Sequence, residues 1–513
     1  MQTKDRGGEH LTALLVVMCL ALALVVGATS SLAIALPDLA ADLGATQTQL
    51  TWILNAYSIV FAAVLLPVGL AADRYGRRPA LVIGLTVFGG ASLASALADD
   101  ATLVAVLRAV AGLGAAGVFP ATLSVLIDAF PPERRARAVS VWAGVTGAAA
   151  TLGTFIGGGM LEISGWAGIQ VVFGVLALAL VPGVLRFVGP SGDRTIRIDP
   201  VGGALAVVGL GALVFGVIRA GDASLSDAQA LAGIVVGLVA LGGFLAWELA
   251  ADEPMLDVRL FRNGGLAAGS LLLTLQFFAA FGFFLLTPQY LQVVQGYSAI
   301  ETALCFLPLP IGVAFVTPFV PRLMSAFGAR WVGAIGMAVF AAAFVVFVLV
   351  TPDAGFWGFA VGLVLLGAGS GLALTPGTTL VVSGLPADRR TVSSAVNDLT
   401  REVGGALGGA VLGAVLIAAY QSDLAGALRG LPARVADQAS AGIAGAGSAA
   451  GQLGPAGPDL LAAARDAYIG GFHVALLVGA VAGLLGAVAC ALLAPSGATE
   501  ITDTVYADAV PAT

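Results

Sequence analysis

Gly69-Leu70-Ala71-Ala72-Asp73-Arg74-Tyr75-Gly76-Arg77-Arg78 is a short polar interruption between two apolar runs. Each run is long enough to cross a bilayer. A basic link alone would serve to fix topology, since loops on the cytoplasmic side collect Lys and Arg. That accounts for Arg74, Arg77 and Arg78. It does not account for Asp73, or for Gly69 and Gly76, which let backbones approach closely.

The composition agrees with a membrane setting. The chain is 59% hydrophobic and 10% charged, with 70 glycines, whereas a soluble domain carries roughly 25% charged residues. Glycine suits close helix packing in lipid. Cys19, Cys305 and Cys490 all fall in apolar runs, and His10 and His473 are far apart. Neither a disulfide framework nor a metal site is expected, and no cofactor. The net charge of −7 comes without any basic cluster interleaved with aromatics, so no nucleic-acid partner is expected. The first apolar run lacks a small-residue cleavage site and reads as a retained helix.

Runs of about 20 apolar residues are needed per span. Fourteen are found, at about 11–36, 50–72, 79–98, 102–125, 138–162, 168–187, 200–219, 229–250, 266–289, 299–320, 328–350, 355–383, 393–419 and 469–493. They are too long for barrel strands, so an all-α polytopic membrane protein is expected. Most basic residues fall on one side: Lys4, Arg6, Arg74, Arg77, Arg78, Arg134, Arg135, Arg137, Arg186, Arg194, Arg197, Arg259, Arg262, Arg322, Arg330, Arg389 and Arg390. That puts both termini, 1–10 and 494–513, in the cytoplasm. The opposite loops are short and acidic, with Asp38, Asp42, Asp99, Asp100, Asp222, Asp227 and Asp353. Residues 420–468, rich in Ala, Gly and Pro, read as an extracytoplasmic loop with a weak helix or two.

The chain also repeats itself. Pro131-Pro132-Glu133-Arg134-Arg135 matches Pro386-Ala387-Asp388-Arg389-Arg390. Leu152-Gly153 matches Leu407-Gly408 at the same distance beyond, and Gly112 to Pro120 resembles Gly367 to Pro376. Two like halves are expected, 11–187 and 266–493, with the pair at 200–250 inserted between them.

The opening stretch resembles the G-x-L-a-D-r-x-G-r-[RK] signature of the major facilitator superfamily, at its cytoplasmic link between helices two and three. Six plus two plus six spans resemble that family's 14-helix drug:proton antiporter branch, the EmrB/QacA type. Glu253 to Asn263 and Pro288-Gln289-Tyr290-Leu291-Gln292 to Gly296-Tyr297-Ser298 are similar to stretches of that branch. The resemblance implies a conformational latch at Gly69, Asp73, Arg74, Gly76, Arg77 and Arg78, with Asp73 docking near Thr391 to Ser394. It also implies export of hydrophobic or amphipathic drugs, antibiotics or metabolites across the cytoplasmic membrane, driven by protons. The acids alone favour a cationic compound. A monomer is expected.

Arg108 lies within span four, in Arg108-Ala109-Val110-Ala111-Gly112-Leu113-Gly114. An arginine there costs about 2.5 kcal/mol or more unless it meets a wet cavity or a partner. The stretch resembles the family's R-x-x-x-G-x-G pattern, tied to proton transfer. The alternative is an arginine reaching for the interface. In span thirteen, Asn397-Asp398-Leu399-Thr400-Arg401-Glu402 puts Asp398 and Glu402 on one helix face. Arg401 can pair with Asp398. The repeat aligns these acids with Ala143 and Gly147, so the duplicated fold does not require them. A desolvated Glu402 is suited to load and release protons. The bland alternative is a charge pair at a helix start.

Gly153, Gly157 and Gly158 stand in the position of the antiporter packing signature, but with Thr154 where that signature has proline. In span one, Ala28 replaces the branch's aspartate. These departures favour the rival expectation, a uniporter or importer of a small metabolite. A membrane scaffold or enzyme is the remote third, since no nucleotide loop or nucleophile–base set is present. Trp52, Asn55 and Tyr57 in span two, Gln276 and Gln289 in span nine, and Asn397 are the candidate cavity residues. Phe277, Phe278, Phe283 and Phe284 read as packing or lipid-facing.

Overall fold

The computed structural model describes residues 2–192, 199–224, 226–251, 254, 256–350, 355–383 and 390–495, without the side chains of 2–9, 66, 132–133, 135–137, 139–140, 143–144, 146–148, 150–151, 222, 355, 390–395 and 398. The described residues are helical almost throughout. In chain order the helices are α1 (Gln2–Ile34), α2 (Leu36–Leu43), α3 (Gln47–Tyr75), α4 (Arg77–Ser95), α5 (Ala101–Ala129), α6 (Pro132–Phe187), α7 (Pro200–Asp222), α8 (Ala228–Ala250), α9 (Gly264–Gln289), α10 (Ala299–Cys305), α11 (Pro308–Val316), α12 (Val320–Leu349), α13 (Gly355–Ser383), α14 (Arg390–Leu424), α15 (Ala433–Ser440), α16 (Ile443–Gln452) and α17 (Gly457–Leu493).

The acids of the short loops start helices. Asp100 accepts from the Leu103 N–H at 2.8 Å at the head of α5, and Asp227 accepts from Gln229 and Ala230 at the head of α8. A helix leaves its first N–H groups without partners, and a preceding carboxylate supplies an acceptor. Asn263 does the same for α9, and Ser298 with Glu301 forms a capping box on α10.

Twelve helical stretches among the described residues are long and apolar enough to cross a membrane. Gly454–Leu493 runs for 40 residues, and two other long stretches are broken within: Leu152–Phe187 with 36 residues and Ala299–Leu349 with 51. Each of these two holds one glycine in a conformation that breaks the helix, Gly165 at φ 70° and Gly328 at φ 78°. The runs expected at 138–162 and 168–187 fall on either side of Gly165 in α6. The runs expected at 299–320 and 328–350 run into one another from α10 to α12. A single residue with positive φ is the whole connection at each of these breaks, so no loop separates the helices on either side.

The chain divides into two compact units. The first holds 1–43, 52–211 and 240–255, and the second holds 44–51, 212–239 and 256–513. In the first unit α1 packs on α6, and α4 packs on α5 and α6. In the second α9 packs on α14 and α17, and α12 packs on α13 and α17. The matched glycines make matched contacts. A Cβ on Gly153 would run into the Gly27 carbonyl of α1, and one on Gly408 into the Phe278 carbonyl of α9. Gly112 abuts the Tyr57 carbonyl and Gly367 the Leu309 carbonyl in the same way. The repeat in sequence is thus a repeat in helix packing.

Residues 420–468, expected as a loop with a weak helix or two, hold α15 and α16, with α14 running on to Leu424 and α17 beginning at Gly457. Val435, Ala439, Ile443, Ala446 and Ala449 are buried, which is why this Ala- and Gly-rich segment folds down.

Candidate functional site

In the first unit two charged side chains are 1% exposed, Glu248 on α8 and Arg108 on α5. Arg108 Nε donates to the Ile53 carbonyl of α3 at 3.3 Å, and its guanidinium carbon stands 4.4 Å from the centre of the Tyr57 ring. The Tyr57 hydroxyl in turn donates to the Val25 carbonyl of α1 at 2.9 Å. Gly112, one turn along from Arg108, lets α5 lie directly against the Tyr57 backbone. Arg108 Nη2 and Asn55 Nδ2 are buried with no hydrogen-bond partner among the described residues. From Tyr57 an aromatic train continues through Phe61, Phe119 and Trp142, with ring centres 5.7 to 6.1 Å apart. Tyr57, buried, is therefore an inward-facing floor for the arginine, while Trp52 is half-buried.

The stretch around residue 76 is built as a clamp. Arg77 Nε donates to Asp73 at 3.1 Å, one turn back. Its Nη1 meets Asp128 and the Ser124 carbonyl near the end of α5. Gly76, at φ 114°, carries the chain from α3 to α4, and a Cβ there would strike the Ser191 carbonyl. The Arg77 N–H donates to Ser191 Oγ at 3.1 Å, so the segment leaving α6 docks on the same turn. Gly69 faces the Pro120 ring, and Arg74 lies over Tyr75. Arg78 is half-buried. The expected partners of Asp73, Thr391 to Ser394, lie outside the described side chains.

In the second unit α14 carries the acidic stretch. The side chain of Asp398 lies outside the described residues. Asn397 is 9% exposed, and its carbonyl accepts from Thr400 Oγ1 at 2.9 Å. The Arg401 guanidinium carbon sits 4.5 Å from the centre of the Phe277 ring of α9. Glu402 is half-buried on the next position. Gln276 donates through Nε2 to the Ser370 carbonyl of α13 at 3.3 Å, and its Oε1 is buried with no hydrogen-bond partner among the described residues. Gln289 donates to the Leu285 carbonyl of its own helix at 3.1 Å and so is satisfied locally. Phe283 packs among Phe284, Phe306, Phe344, Phe347 and Phe359, a core cluster.

The packing glycines lie on α6. Gly153 and Gly157 press against Gly27 and Ser31 of α1, and Gly158 is buried. Helical geometry continues through Thr154, and the break in α6 comes at Gly165.

Sequence reasoning missed Asp128, Ser124 and Ser191 as partners of Arg77, and Phe277 as the support of Arg401. An acid at the end of an apolar span, as Asp128 is, was the available signal.

These features define a polytopic helical membrane protein of two like units, with a buried arginine in one and an acid-bearing helix in the other. The chain belongs to the major facilitator superfamily: the family's profile matches residues 18–409. It is 31% identical over 449 residues to the methyl viologen resistance protein SmvA of Salmonella typhimurium, covering 86% of this chain and 90% of that one. It is 30% identical to the multidrug efflux pump LfrA of Mycolicibacterium smegmatis, over 92% of this chain and 95% of that one. It is 32% identical to the multidrug resistance protein Stp of Mycobacterium tuberculosis, over 73% and 70%. Among solved structures, a bacterial homologue of the human lysosomal transporter Spinster matches with a TM-score of 0.67 at 18% identity, over 94% of this chain and 97% of that one. That likeness shows the fold.

Proposed function

We propose that the chain is a proton-coupled exporter of hydrophobic or amphipathic compounds across the cytoplasmic membrane, with 14 spans and both termini on the cytoplasmic side. Counting each glycine-broken stretch, Leu152–Phe187 and Ala299–Leu349, as two crossings turns twelve into fourteen. The names of the relatives, resistance and efflux proteins of similar length, support drug export.

The observation that carries the coupling is Arg108. A buried cation in a span is expensive unless it serves a function. Here the guanidinium rests on a ring and a backbone carbonyl, and it forms no ion pair among the described residues. It is a charge held ready for a transient anion. Glu402 is the proposed proton carrier, half-buried and adjacent to Arg401, whose charge is directed onto Phe277. Asp398 assists on the same helix face. Rocking of two halves about a midplane site would supply alternating access.

The test is substrate-induced proton movement in proteoliposomes under an imposed pH gradient, with dyes, antibiotics and quaternary ammonium compounds as the panel. A compound should dissipate the gradient with the wild type and not with Glu402→Gln. The uniporter reading is favoured by one observation, the uninterrupted helix through Thr154 where the antiporter signature has proline. Compounds moving with no proton flux would establish it instead.

A further inference from the structure

Inside 420–468, α15 ends on the first turn of α3. The last carbonyls of a helix, like its first N–H groups, have no partner within it. At the end of α15 three successive carbonyls are each taken. Ala439 accepts from the Tyr420 hydroxyl at 2.8 Å, Ser440 from Gln421 Nε2 at 3.4 Å, and Ala441 from the Gln47 N–H at 2.8 Å. Tyr420 and Gln421 belong to α14. Gln47 is the first residue of α3, whose own cap is a reciprocal pair, Thr46 N–H to Gln49 Oε1 and Gln49 N–H to Thr46 Oγ1. That pair leaves the Gln47 N–H to α15. Each helix end therefore completes the other.

Two further details bear on how firmly this holds. Gly442 has φ 145°, and a Cβ there would lie 3.3 Å from Gln47 Cβ, so the chain turns away directly against residue 47. Gln47 is 3% exposed, and its Nε2 is buried with no hydrogen-bond partner among the described residues. A buried amide without an acceptor is penalised, and water would satisfy it once the turn separates. The contact is well fitted in its backbone and weakened by its side chain, which suits a closure that must open. The first residues of α3, 44–51 with their approach, pack in the second unit, whereas α3 from Trp52 onward packs in the first.

We propose that α15 and α16 form a strap that holds the first turn of α3 against α14 at the outer face, and that the strap releases this turn each time that face opens. The proposal rests on the transporter reading and on the orientation given with it.

The test uses the full chain in proteoliposomes with Gln47→Cys and Gly442→Cys together. The Cβ separation is near that of a disulfide, about 3.5–4.5 Å. Cys19, Cys305 and Cys490 are buried and do not compete. The pair should cross-link in the resting protein, export should fall at least about tenfold on oxidation, and reductant should restore it. Failure to cross-link, or unchanged export by the cross-linked protein, would overturn the proposal. Because cysteine at 442 strains the backbone, Gln47→Pro is the second variant. Proline is well accepted at a helix's first position, and it removes the N–H that Ala441 accepts. It should speed labelling of Thr51→Cys by an impermeant maleimide at least about threefold, since Thr51 is 2% exposed on the turn after Gln47, facing Gly413 of α14. Unchanged labelling would overturn the strap. Cross-linking and labelling need no transported compound. If the transporter reading is what fails, they still respond while no variant moves any compound.

Discussion

The Arg108 guanidinium lies over the Tyr57 ring, 4.4 Å from its centre, while Arg108 Nε holds the Ile53 carbonyl of the same helix. A planar cation can do both at once, stacking on the ring while its edge donates. An ammonium keeps the charge and loses the plane. Arg108→Lys is therefore expected to fold and to lose export by at least about tenfold. Tyr57→Phe keeps the ring and gives up the hydroxyl with its bond to Val25, so it should cost about 1 kcal/mol of stability and leave export within about twofold. Equal loss in both variants would mean that the hydroxyl, and not the ring, carries the effect. The measurement is initial export rate, with gel-filtration profile as the check on folding.

Gly153 and Gly159 lie on one helix and differ in what they face. A Cβ on Gly153 meets the backbone of Gly27, whereas one on Gly159 meets nothing within 4 Å. Backbone cannot rotate aside as a side chain can. Gly153→Ala should destabilise by about 1–3 kcal/mol, the usual cost of overpacking. Gly159→Ala should be neutral or stabilise by up to about 1 kcal/mol through helix propensity. Thermal unfolding in detergent separates the two. A neutral Gly153→Ala would mean that α1 and α6 are not held at this distance.

Much of this was legible in the sequence. Gly69 to Arg78 pointed to the family, and the repeat pointed to the matched helix contacts at Gly153 and Gly408 and at Gly112 and Gly367. Glycine spacing marked where helices touch, because only backbone contact makes a missing side chain matter. What stayed hidden was pairing over distance. Asp128 is 51 residues from Arg77, and nothing local in either stretch announces the other. The Arg401 guanidinium stacks on Phe277 of another helix, and nothing near Arg401 in sequence announces that ring. Spacing along one helix suggests a partner, but the aromatic face that competes for the charge is set by tertiary packing. The runs meeting at Gly165 and Gly328 were already separate in the sequence, but that one glycine makes each connection was hidden, since these two look like any others among 70.

Arg77 and Arg78 are neighbours with different work. Arg77 joins Asp73, Asp128 and the Ser124 carbonyl, while Arg78 takes no part in that network. Partly exposed ion pairs contribute little to stability, about 0–1 kcal/mol. The expected effect of Arg77→Ala is thus on the rate of interconversion: export slows by at least about fivefold with unfolding temperature almost unchanged. Arg78→Ala should export within about twofold of wild type. If both variants slow export equally, the positive charge of the turn matters and the clamp does not.

Asp38 offers a test by pH outside the spans. It lies on α2, where burial pushes its carboxyl above the ordinary range, and the neighbouring Asp42 and Glu162 push it the same way. Asp42 is itself held by the Trp166 indole N–H at 3.1 Å, so this repulsion is fixed in place. The sign follows from linkage. An acid whose folded pKa is raised contributes stability that is fully present below its unfolded value, about 3.9, and lost as pH rises through the folded value. At neutral pH the ionised Asp38 therefore weakens the fold, and near pH 4 and below it does so much less. Asp38→Asn removes the charge at both. It should raise the unfolding temperature by about 1–2 °C near pH 7 and leave it nearly unchanged near pH 4. An equal gain at both pH values would trace the effect to the amide's own hydrogen bonds, and Asp38 would then not be the group that titrates at this end of the bundle.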